Sequence, residues 1–139
     1  MADRIEQFFT HYAKAMDDGA VQSMSECSVK PMIFVSDDVK NVCHTQQDIE
    51  KVNGLLLKGL DKGGVVKHVP KVTQSMRLSD AVLFVAVRWH FVDASDTTIF
   101  SCFCSYTLQV DASNELKILV VVLDDEQKTI SKLMQQVQG

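Results

Sequence analysis

The densest apolar pattern in the chain lies between Ala81 and Asp111. Two segments rich in Val, Phe, Trp, Thr and Ile, Ala81–Val92 and Thr97–Val110, flank the turn-prone Asp93-Ala94-Ser95-Asp96. Such a pattern predicts a long antiparallel hairpin. If those residues form the loop, Val92 faces Thr97. One face then carries Leu83, Val85, Val87, Trp89 and Phe91 with Phe100, Cys102, Cys104, Tyr106 and Leu108. The other carries Phe84, Ala86, Arg88 and His90 with Ile99, Ser101, Phe103 and Ser105. The first face is almost wholly apolar and is expected to be core; the second is mixed. An odd loop length would change which faces meet, because side chains alternate with period two.

Upstream, Ile5, Phe8, Phe9, Tyr12, Ala13 and Met16 recur at helical spacing after Asp3, a candidate cap, and Asp17-Asp18-Gly19 ends the pattern. A short helix over Ala20–Cys27 follows, giving two helices within residues 1–28. Residues 31–44 read as a short hairpin of Met32–Val35 and Val39–Cys43, turning at Asp37-Asp38. Thr45 and Asp48 form a capping-box start for a helix over 45–63, with Ile49, Val52, Leu56 and Leu60 on one face and Gly63-Gly64 as its stop. In the strand Val65–Leu78, Val66, His68, Pro70, Val72 and Met76 alternate with polar residues; Pro70 calls for an edge or a bulge. Leu116–Leu123 is apolar on both faces, as befits a central strand. Thus 65–123 holds four long antiparallel strands, and Ile130, Leu133, Met134 and Val137 predict a short helix over 125–138. Helices segregated from strands mean an α+β domain spanning 1–139.

Composition narrows the picture. A net charge of −4 with scattered basic residues argues against nucleic acid. No apolar run long enough to span a bilayer is present, so no membrane association is expected. The opening residues lack the apolar core of a signal peptide. Cys27, Cys43, Cys102 and Cys104 have neither zinc nor Cys-x-x-Cys spacing, so free thiols in a cytoplasmic protein are expected, with no metal site and no cofactor.

Four stretches, in order, resemble the nuclear transport factor 2-like superfamily in its SnoaL-like and ketosteroid isomerase-like branch. They are His11-Tyr12-Ala13-Lys14-Ala15-Met16-Asp17-Asp18-Gly19, His44-Thr45-Gln46-Gln47-Asp48-Ile49, Lys67-His68-Val69-Pro70-Lys71-Val72, and Leu108-Gln109-Val110-Asp111 with Leu116–Val122. The third resembles that branch's Arg-His-x-x-x-Asn strand opening. The resemblance implies a cystatin-like cone, a curved antiparallel sheet wrapped around N-terminal helices with a pocket at its concave face.

It also implies candidate residues. Tyr12 falls where ketosteroid isomerases place a hydrogen-bonding Tyr, though it equally fits the apolar helix stripe. Ser36 takes the place of their carboxylate base, with Asp37 one residue away or simply in a solvated turn. Tyr106 stands in for their second donor. His68, on the apolar face of its strand, is a candidate base or a core residue bonded to backbone. The leading function is binding of an unidentified small apolar or amphipathic molecule among Tyr12, Ser36, His68, Trp89, Cys104 and Tyr106. A first alternative is a cofactor-independent isomerase, hydrolase or cyclase acting on a carbonyl compound, with Tyr12, Asp37 and His68 catalytic. A second is a dimeric interaction module with a filled cone. Since relatives pair through the mixed sheet face, a homodimer is expected there, with Phe84, Arg88, His90, Ile99 and Phe103 at the interface.

Overall fold

A computed structural model describes residues 2–123; the helix predicted over 125–138 lies outside the described residues. Helix α1 (Ala2–Asp17) starts before Asp3, which falls in its first turn rather than capping it. It buries Ile5, Phe9, Tyr12, Ala13 and Met16, as their spacing requires. The helix ends in a Schellman arrangement: Gly19 N–H donates to Met16 C=O and Ala20 N–H to Ala15 C=O, with Gly19 at φ +66°. A short α2 (Val21–Ser25) follows. In α3 (Gln46–Lys62) the capping box forms as its sequence predicts, Thr45 Oγ1 accepting from Asp48 N–H and the Asp48 carboxylate accepting from Thr45 N–H.

The strands are β1 (Ser28–Val35), β2 (Lys40–Cys43), β3 (Lys67–Arg77), β4 (Val82–Val92), β5 (Thr98–Val110) and β6 (Leu116–Leu123). They make one curved, unclosed six-stranded sheet in the order β2-β1-β6-β5-β4-β3. β3 to β6 form an antiparallel meander, and β6 is interior to the sheet as its apolar sequence indicates. The curved antiparallel sheet expected from the sequence is found, with one parallel pairing, β1 beside β6. β1 also starts earlier than predicted. Ser28 pairs with Ile118, and Pro31, which has no N–H to give, falls where pairing with β6 is interrupted.

The β4–β5 faces are as the alternation predicts, but the register slides by two residues, Trp89 facing Cys102 instead of Phe100. The loop is the cause. Asp93 Oδ1 accepts from Ser95 N–H, Ser95 Oγ–H and Thr97 N–H, Asp96 sits at φ +65°, and a bulge at Phe91/Val92 absorbs the difference. A slide of two leaves every side chain on its own face.

In β3, the edge strand, an irregularity between Val72 and Gln74 reverses the alternation. His68, Pro70 and Val72 pair with the inward residues Phe91, Trp89 and Val87, whereas Met76 pairs with outward Phe84 and is half exposed. Met76 therefore leaves the face predicted for it. Val66 lies before the strand and is exposed.

Candidate functional site

His68 stands on the inward face of β3, buried to 5 % exposure and edge-on to Phe91, with ring centroids 5.8 Å apart. Asp17, the last residue of α1, reaches it. Its Oδ1 accepts from the His68 backbone N–H at 2.7 Å and lies 2.8 Å from His68 Nδ1. The carboxylate assigns the ring proton to Nδ1 and leaves Nε2 as an acceptor. That Nε2 is buried and has no hydrogen-bond partner among the described residues. Burial pushes the pKa of His68 below its usual value, against the opposing pull of Asp17, so the imidazole is neutral at pH 7.

Tyr12, Trp89, Cys104 and Tyr106 are all core side chains, none more than 4 % exposed. Phe9 lies 4.9 Å from Tyr106, Tyr12 6.2 Å from Trp89, and Trp89 stacks at 6.4 Å on Phe91. Trp89 Nε1–H donates to Tyr106 Oη at 2.9 Å. Trp89 and Phe91 thus stand in the ring ladder that runs from Tyr12 to His68. All four cysteines are buried, and burial pushes the pKa of the Cys27 thiol up to about 11, far from thiolate reactivity at neutral pH.

Ser36 N–H donates to Val39 C=O, closing the β1–β2 turn, and its Oγ is buried with no partner among the described residues. Asp37 and Asp38 occupy the tip of that turn and are exposed. The inward Asp37 needed for a base is not found, because the tight turn projects both carboxylates into solvent. On the outer sheet face, Phe84, Arg88, His90 and Phe103 are half-buried and Ile99 is 39 % exposed. Arg88 and Phe103 pair directly across strands, the guanidinium 5.1 Å from the ring centroid.

Residues that sequence reasoning did not single out as functional are Asp17, Ser25 and Asn53. Asp17 carried one signal: a carboxylate in the last turn opposes the helix dipole and so calls for a partner elsewhere. Asn53, 1 % exposed, donates through Nδ2 to buried Ser25 Oγ at 3.0 Å. It turns the buried stripe of α3 toward Ile49, Asn53, Leu57 and Leu60, leaving Val52 and Leu56 only partly buried.

A cleft of about 380 Å³ opens beside Asp17, walled by the end of α1, α3 and the approach to β3; Gly19, Gly54, Lys58, Asp61 and His68 are among its lining residues. A wider groove of about 550 Å³ separates α1 and α2 from the start of β6. There Arg4 Nη2 donates to Asn114 C=O at 2.6 Å and Lys117 Nζ to Glu26 C=O at 2.8 Å, so both basic heads clamp backbone.

Solved structures share this architecture. An NTF-2 like protein of unknown function from Shewanella oneidensis MR-1 is 12% identical, with 89% of this chain and 98% of that one covered at a TM-score of 0.69. A ketosteroid isomerase-like protein from Erwinia carotovora atroseptica SCRI1043 is 10% identical, with 88% and 93% covered at 0.63. A protein from Catenulispora acidiphila in complex with S-DNPA is 13% identical, with 94% and 96% covered at 0.66. At such identities the likeness is one of fold. No curated protein matches the chain. Helices, strand order and register, together with a family match over residues 2–126, give one conclusion: the chain belongs to the family described as NTF2-like protein (DUF6841).

Proposed function

We propose that this chain binds a small molecule at the Asp17–His68 pair, where the end of α1 meets β3, with His68 Nε2 accepting a hydrogen bond from the ligand. One observation carries the reading. His68 is buried, its Nδ1 is committed to Asp17, and its Nε2 is an acceptor with no partner among the described residues. Buried polar atoms are nearly always satisfied, so an acceptor fixed in one tautomer selects for a donor brought from outside. A fold neighbour from Catenulispora acidiphila is known in complex with S-DNPA, which supports a ligand-binding use of the architecture. The test is imidazole ¹⁵N NMR of the full chain during a screen of hydroxyl- and amide-bearing fragments. Binding should move the Nε2 resonance and spare Nδ1, and His68→Phe should abolish it. Fragments that bind equally well to His68→Phe would overturn the reading.

The same dyad supports a second reading, a cofactor-independent enzyme that moves a proton on a carbonyl compound. A neutral imidazole held by a carboxylate is a competent base near pH 7. Here His68 replaces the exposed Asp37 as base, and Asp17 positions it. Under this reading Asp17→Asn lowers kcat and shifts the acid limb of the pH profile, while KM changes little. An unaltered pH profile would remove it.

A further inference from the structure

The cleft beside Asp17 lies outside the packed ring ladder, and three features of its wall bear on what enters it. Both His68 donors fall on Asp17 Oδ1, so Oδ2 is the oxygen left for another donor, on a side chain 29 % exposed. The rim carries Asp61 and Lys58, so two carboxylates face one ammonium beside a neutral imidazole. Gly54 sits in mid-helix on the same wall, and a Cβ built there meets nothing within 4 Å.

Gly54 is the independent pointer. Gly19, on the opposite wall, is required by its φ of +66°, but Gly54 has ordinary helical backbone and no close neighbour to spare. A glycine in a helix interior is destabilising relative to alanine. Packing gives no return for that cost, whereas a side chain at Gly54 would project into cleft volume. The remaining floor is apolar, with Met16, Leu57 and Val65 buried.

We infer that this cleft is a site for a small protonated amine, its ammonium on Asp17 Oδ2 and Asp61 and its alkyl body against Met16, Leu57 and Val65. The inference rests on the binding reading above and deepens it, because His68 lines this same cleft; it is read at different atoms. An ammonium supplies several donors to acceptors that are otherwise solvated, and the charge-assisted contact favours it over an alcohol of the same shape. A carboxylate of that shape would meet two like charges.

The test titrates butylammonium, butanol and butyrate into ¹⁵N-labelled full chain. Butylammonium should move the backbone amides of Gly19, Gly54 and Val65 at millimolar concentration, with a response that weakens as salt is added. Butanol should move them at least several-fold less and butyrate not at all. Asp61→Asn should weaken the response, and Gly54→Leu, which fills the cleft where space is open, should abolish it. Fragments that shift His68 Nε2 in a chain giving no butylammonium response would overturn the amine inference and leave the binding reading standing, which separates the two. A butyrate response as large as that of butylammonium, or an amine response that survives Gly54→Leu, would overturn the inference.

Discussion

Asp17 and His68, far apart in the chain, share a single oxygen: Asp17 Oδ1 takes both the backbone N–H and the ring Nδ1–H of His68. This ties the end of α1 to the first inward residue of β3, on a side where α1 and β3 are in direct contact. Asp17→Ala strands two buried donors at once. We expect it to lower unfolding free energy by about 1–3 kcal/mol, measured by urea denaturation with an unchanged m-value. Asp17→Asn, which keeps a carbonyl oxygen, should lose less. Equal losses for the two substitutions would show that the oxygen contributes nothing.

Acid should weaken the fold through His68. Its pKa is lowered in the folded state from an ordinary 6.5, chiefly by burial. The unfolded chain therefore takes up the proton first as pH falls, and the stability present above about 6.5 is lost progressively below it. Denaturant midpoints from pH 7.5 to 5 should decline in the wild type and decline less in His68→Gln. Parallel curves would assign the loss to other groups.

In the core, Tyr106→Phe leaves the Trp89 indole N–H without its acceptor. A loss of about 1–3 kcal/mol is expected from a hydroxyl alone. In a double-mutant cycle with Trp89→Phe, the second change should cost less once the first is made, with a coupling of roughly 1 kcal/mol. Strict additivity would mean that the contact is not an energetic one.

The outer sheet face bears Phe84, Phe103, Ile99, Met76 and Val122, the last three 39–50 % exposed. Apolar surface of this kind is what a second copy of the chain would cover, and a two-fold homodimer is the expected state. Light scattering at micromolar concentration should give twice the chain mass. Phe103→Glu, which also removes the ring beneath Arg88, should give half that value without loss of cooperative unfolding. A monomeric wild type would end this expectation.

Local patterns made most of the fold legible before the structure. The period of α1, the Thr45–Asp48 box and the two faces of β4 and β5 each follow from spacing alone, and each is found. What escaped was set by tertiary contacts. A bulge in β3 sends Met76 outward with no marker in the alternation, and the Asp93 loop moves Trp89 opposite Cys102 through side-chain bonds that residue types do not specify. The site was half legible. His68 stands out as a polar residue on an apolar face, but its partner Asp17 reads as part of a helix stop, since nothing local links the two. Asp37, attractive by resemblance, is exposed because its turn is only as long as the Ser36–Val39 bond allows.

The parallel pairing of β1 with β6 has a consequence for how the chain is made. During synthesis, α1 through β2 emerge early, yet β1 can add only one hydrogen-bonded neighbour, β2, until Leu116–Leu123 has been translated. The meander from β3 to β5 can form meanwhile from contacts close in sequence. The N-terminal third must therefore wait on the ribosome with one edge of β1 open, a contact of high sequence separation that is closed late. Release of the nascent chain before Leu116 should accordingly leave β3–β5 ordered and β1–β2 accessible to chaperones, so that β6 acts as the clasp of the whole domain.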